Sequence, residues 1–113
     1  MNEPREYTEE EVREQFLDNI RAYVKYWDKL PDMSTRERLE GLAFSILAAI
    51  DGATAELPAF ILAPLPHEED KEYLRNRGKN WYPENRQAGV KADIARGLHE
   101  LFRNHEKDGH ETS

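Results

Sequence analysis

The chain has 113 residues, 38% of them hydrophobic, and a formal net charge of -7. That supplies apolar mass for one small core, and the acidic balance argues against duplex DNA and anionic membranes as partners. With no cysteine there can be no disulfide, thiolate zinc site or cysteine nucleophile, and a reducing cytoplasm suits the composition. The acidic N-terminus "MNEPREYTEEEVREQ" lacks the apolar centre of a secretory signal, and the apolar run "GLAFSILAAI" is too short to span a bilayer. The expectation is a soluble cytoplasmic protein.

Thr8 with Glu11 three residues on forms a capping-box pattern, which predicts a helix from about Glu9 to Asp28. Val12, Phe16, Ile20, Tyr23 and Trp27 recur along it at spacings of three and four, with Leu17 and Val24 widening the stripe, so one face should be buried. Pro31 ends this helix, and Ser34 with Glu37 repeats the capping pattern for a second, reaching Ile50 and closed by Gly52. "GLAFSILAAI" is apolar all round and mixes small with large residues, so the second helix reads as the central one, covered by the other helices or by a second subunit.

Three prolines in "ELPAFILAPLP" rule out a central strand or a long helix there, and predict an extended segment pressed on the helices. A strand at Phe60 to Leu62 would pair with a segment near Trp81 or with another subunit. A short helix follows from about Glu68 to Asn76, with acids in its first turn, bases in its last and Gly78 as a stop. "NWYPEN" reads as a turn that could hold a cis Tyr82–Pro83 bond. A last helix, from about Val90 to Asn104, should bury Val90, Ile94, Leu98, Leu101 and Phe102, and the tail from residue 105 reads as disordered. The fold class is mainly α: a small single helical domain over residues 1–104, of about four helices, with an extended Pro-rich segment and one short β pair as an option.

Chemistry concentrates in Lys71 to Lys91. Six bases (Lys71, Arg75, Arg77, Lys79, Arg86, Lys91) face two acids (Glu72, Glu84) there, so the stretch is locally positive in an acidic chain. With Trp81 and Tyr82 it has the makings of a site for an anion or an acidic partner, because guanidinium groups grip oxyanions while flat rings stack. The plainer account is that bases at the end of a short helix satisfy its dipole and aromatics in a turn cap a core. His67, Asp70, Asp93 and His99 are the candidates for a histidine and carboxylate cluster. His67 and Asp70 share a helix face, but Asp93 and His99 lie about 120° apart, so they chelate poorly and no metal or cofactor is assigned. Ser34 and Ser45, the serines before the tail, lack a nucleophile-elbow setting, and the scattered glycines form no phosphate loop. Glu68, Glu69 and Asp70 could serve acid-base work, yet a helix start favours acids in any case.

The segments "LPAF", "PHEEDKEY", "GKNWYPEN" and "DIARGLHELF" resemble a recurring pattern in small uncharacterised proteins of phages, prophages and bacteria, covering about Leu39 to Phe102. Its polar marks fall on Pro66, His67, Asp70, Lys71, Asn80, Trp81, Pro83, Asp93, Leu98, His99 and Glu100. The chain departs from it in carrying "NRQAGVKA" before "DI", and Arg96 where the pattern has a small residue. The resemblance implies a context and no reaction. It places the marked residues in the third helix, the turn and the last helix, as a hydrogen-bonded network or as a recognition surface.

Three functional readings follow. The first is a non-enzymatic phage or mobile-element accessory protein that binds a host or defence protein through His67, Asp70, Lys71, Arg75, Asn80, Trp81, Tyr82, His99 and Glu100. An acidic surface able to occupy a partner's basic channel is the other candidate working face. The second reading is a small anionic ligand site or metal-assisted hydrolase around His67, Asp70, Lys71, Trp81 and His99, which requires the two histidines to share a pocket. The third is a structural helical homodimer built on the second helix.

Overall fold

The computed structural model describes residues 3–85 and 90–104. The protein is mainly α, with helices α1 (Glu9–Lys29), α2 (Thr35–Ile50), α3 (Asp70–Asn76) and α4, which runs over residues 98–104. There is no strand among the described residues, so the optional β pair does not form. Prolines at 58, 64 and 66 flank the Phe60 to Leu62 run and leave too few consecutive donors for a ladder of any length. The expected disordered tail, and Arg86, lie outside the described residues. Two compact units are formed, Met1–Ala59 with Lys91–Ser113, and Phe60–Val90.

In the first unit α1 and α2 pack against each other as a helical hairpin. Each begins with a complete capping box. Thr8 Oγ1 accepts from the Glu11 N–H at 3.1 Å while Glu11 Oε1 accepts from the Thr8 N–H at 2.9 Å, and Ser34 with Glu37 repeats the geometry. Arg5 adds a fork onto both Glu11 oxygens at 2.8 Å. The Arg5 guanidinium and then the Thr8 N–H hold the Glu11 carboxyl down to about 2. At Glu37 the Ser34 N–H alone leads, and the shift is in the same direction.

The connection between α1 and α2 is closed by Arg38, whose Nη2 donates to Leu30 O at 2.6 Å, beyond the end of α1. At the other end of α2, Gly52 takes φ +79°, its N–H donates to Ala49 O and the Ala53 N–H to Ala48 O, the paired bonds of a Schellman stop. Trp27 keys the two helices together: its indole N–H donates to Ser45 Oγ at 2.9 Å and its ring lies flat on Gly41. A Cβ at Gly41 would stand 2.5 Å from the ring carbons. Ser45 therefore points at Trp27, which is why a hydroxyl is tolerated on an apolar helix.

The core consists of Phe16 and Leu17 from α1, Ala49 from α2, and Leu57 from the chain just after α2. Of the rest of the α1 stripe, Val12, Ile20, Tyr23 and Trp27 are half-buried and Val24 is exposed. Helix α2 differs from the expectation of a central helix covered by its neighbours, since Leu39, Phe44 and Leu47 are 61%, 72% and 58% exposed.

Residues 90–97 are the largest departure, because α4 begins only at Leu98. Asp93 Oδ1 accepts from the Ala95 N–H at 3.1 Å, a local bond that competes with helix, and Ala92, Arg96 and Gly97 all take positive φ. Two arginines of α1 then hold this segment and α4 by one carbonyl each. Arg13 donates to Ile94 O at 3.1 Å, and Arg21 donates to Leu101 O at 3.1 Å while lying over the Phe102 ring. Ile94, Leu98 and Phe102 are half-buried, while Val90 and Leu101 stay exposed.

Candidate functional site

The sequence-predicted site residues fall in both units, with His67 to Tyr82 in the second and His99 and Glu100 in the first. In the second unit, His67 and Asp70 build the start of α3. Asp70 Oδ2 accepts from the His67 N–H at 2.9 Å, and the Asp70 N–H returns to His67 O at 3.0 Å. The imidazole Nδ1 accepts from the Glu69 N–H at 3.3 Å. Both side chains are thus engaged with backbone donors of one turn, and the pairing expected between them runs through the main chain of His67.

Helix α3 stops as α2 does. Gly78 takes φ +70°, with its N–H on Arg75 O and the Lys79 N–H on Leu74 O. This turns the chain so that Trp81 comes under Lys71, whose ammonium lies 5.6 Å from the ring centroid, while the Arg77 guanidinium lies 4.9 Å from that of Tyr73. Arg75 and Asn80 are exposed and their side chains bond to no described residue, and Tyr82 is exposed as well. The peptide bond before Pro83 is trans, as are all those described, so the cis option is not taken. Asn85 closes the loop by donating to Pro64 O at 3.0 Å.

None of the described residues of this unit is buried. Ile61 and Leu62, expected to press on helices, are 71% and 79% exposed. A depression lined by Leu65, Pro66, Glu68, Glu84 and Asn85 does not include Lys71, Arg75 or Trp81. What the unit presents is an open surface of cations on aromatic rings.

In the first unit His99 Nε2 lies 3.8 Å from Glu100 Oε1, with both side chains well exposed. This contact is weak. Among the described residues no three of His, Asp and Glu gather closely enough to hold a metal ion. The acids of α1 are largely matched along the helix, Glu9 by Arg13, and Asp18 and Glu14 by Arg21. Sequence reasoning passed over Arg13 and Arg21 as positioning groups, since nothing local marks an arginine that reaches a carbonyl some 80 residues away. It noted the apolar run of α2 without placing its outer face.

No helix among the described residues is long and apolar enough to cross a membrane. No protein-family model, curated protein or solved structure matches the chain.

Proposed function

We propose that this chain acts by binding another protein and performs no reaction of its own, with the Phe60–Val90 unit as the contact surface. One observation carries the reading: the unit holds isoleucine, leucine, tyrosine and tryptophan side chains, yet none of its described residues is buried. Large side chains that form no core of their own are what a partner covers, and tryptophan, tyrosine and arginine are the types that anchor such contacts. The bases around Trp81 favour a partner surface that is acidic. The likeness to phage and prophage sequences makes a host or defence protein the class of partner. The acidic face of α1 is the weaker candidate, since its own arginines offset much of its charge.

The test is capture from bacterial lysate on the immobilised full chain, beside Lys71→Glu and Trp81→Ala. The reading expects one stoichiometric protein, released by salt and lost with both variants. Retention of nothing across several hosts, or of a protein that both variants also hold, overturns it. A small anion bound between Lys71 and the unpaired Arg75 is the second reading, favoured by the Lys71–Trp81 stack. Native mass spectrometry of the protein as purified separates the two by an added ligand mass that Trp81→Ala removes.

A further inference from the structure

Helix α2 has two faces, and only one is used within the chain. At about 100° per residue, Gly41, Ser45 and Ala49 share the side turned to Trp27 and the core, while Leu39, Ala43, Phe44, Leu47 and Ile50 fall in an opposite arc of about 140°. Ala49 is fully buried on the first side, whereas Leu39, Phe44 and Leu47 are exposed on the second. Such a stripe calls for a cover.

The charges at its two ends say which cover fits. Arg36 lies in the first turn of α2, where the helix dipole is already positive, and Asp51 is the C-cap, where it is negative. The last turn holds no base to offset Asp51, and the Asp51 carboxylate has no partner among the described residues. Each charge has the wrong sign for its own helix and the right sign for an antiparallel neighbour of the same sequence. Lay a second α2 against the first with the two-fold axis between Ala43 and Phe44. Ala43 then meets Phe44 of the second copy, a small residue receiving a large one, and Leu47 meets Glu40. Arg36 meets Asp51 at the opposite helix end. Glu40 falls inside the same arc, and its 3.1 Å bond with Arg36 satisfies its carboxylate there. The match is isologous, so both ends close at once.

We propose that this outer face of α2 is a homodimer interface, in which two copies pack α2 antiparallel and each Arg36 pairs with Asp51 of the other. The inference is independent of the binding surface on the Phe60–Val90 unit and needs no other protein for its test.

Sedimentation equilibrium on the purified full chain should show the mass rising from one chain toward two between about 1 µM and 1 mM. Phe44→Glu, with an unchanged circular dichroism spectrum, should stay monomeric throughout. Arg36→Asp and Asp51→Arg should each weaken association about tenfold, and the double variant should restore it to within about threefold, because the pair re-forms across the interface with its signs exchanged. Asp51→Arg also corrects a mis-signed helix end and breaks no described bond, so the thermal stability of its monomer should hold or rise while association falls. A defect in folding cannot produce that opposition. The inference is overturned by a wild-type chain that remains monomeric at about 1 mM, including one whose α2 stripe is shielded from hydrogen exchange by another part of the same chain. It is equally overturned by a dimer that Phe44→Glu leaves intact, or by a double variant no better than its parents.

Discussion

The α1–α2 hairpin and the Phe60–Val90 unit use the same local devices to opposite ends. Helices α2 and α3 both stop on a glycine at positive φ with the same two backbone bonds, at Gly52 and Gly78. Their starts differ, since the Ser34 hydroxyl caps α2 while α3 has no side-chain cap and Asp70 accepts from the His67 N–H ahead of the helix. Yet the unit holding the hairpin buries Phe16, Leu17, Ala49 and Leu57, and the other buries nothing among its described residues. Local bonds decide where a helix begins and ends. Burial decides whether a side chain holds a fold or is left for a partner.

The sharpest way to break that contrast is to truncate one leucine in each unit. Leu17 is 2% exposed, and Leu17→Ala should cost about 2–5 kcal/mol of stability, enough to unfold a small domain near room temperature. Leu62→Ala should move the urea midpoint by no more than about 0.5 kcal/mol equivalent. Equal losses would mean that the second unit has a core after all.

Gly41→Ala comes next. Alanine favours a helix over glycine by about 1 kcal/mol, but here the new methyl would meet the Trp27 ring. Overpacking should win, with a net loss of about 1–2 kcal/mol in thermal unfolding. Adding Trp27→Phe should relieve part of it, so the two substitutions should not be additive. A stabilised single variant would mean that the ring is free to move away.

How far the sequence discloses this arrangement depends on the range of the interaction. Thr8 with Glu11 and Ser34 with Glu37 are read directly, because each box is complete within four residues, and Gly52 and Gly78 are equally legible as stops. Residues 90–97 were not legible as non-helical. Their apolar spacing suits a helix, and what overrides it is partly local, the Asp93 turn, and partly distant, the Arg13 donor from α1 on Ile94 O. Arg96 takes φ +80° in the same place. Of the site, the His67 and Asp70 pairing follows from a short sequence separation, whereas the Lys71–Trp81 contact depends on how the chain turns at Gly78. The exposure of Phe44 does not, since an apolar helix reads the same whether its second face meets its own chain or another.

Acid should reveal how the first helix is started. The Glu11 carboxyl is held down to about 2 in the folded chain, against an unfolded value near 4.3. Its contribution to stability is therefore fully present above the unfolded value and is lost as pH falls through the folded one. Glu11→Gln should be modestly less stable than the parent at pH 7, and the gap should shrink from about pH 4.3 downward and close near pH 2. Urea midpoints of the two proteins at several pH values read this directly. A gap that persists at the lowest pH would assign it to capping geometry and not to the Arg5 ion pair.

The smallest expected effect tests the contrast from the other side. Trp81 is 45% exposed, and its ring contact within its unit is with Lys71, so Trp81→Ala should leave the thermal midpoint unchanged within about 0.5 kcal/mol. The chain has two tryptophans, one in each unit. Trp81→Ala leaves Trp27 to report the hairpin, where loss of the Ser45 bond and the Gly41 contact should give one cooperative change in emission. Trp27→Phe leaves Trp81 to report the other unit, and its emission should drift without a step while circular dichroism passes through the main transition. Coincident sigmoidal transitions from both tryptophans would show that the two units unfold together, and a unit that unfolds with the core is held by it. The exposed rings of the Phe60–Val90 unit would then have structural work and would not be free for a partner.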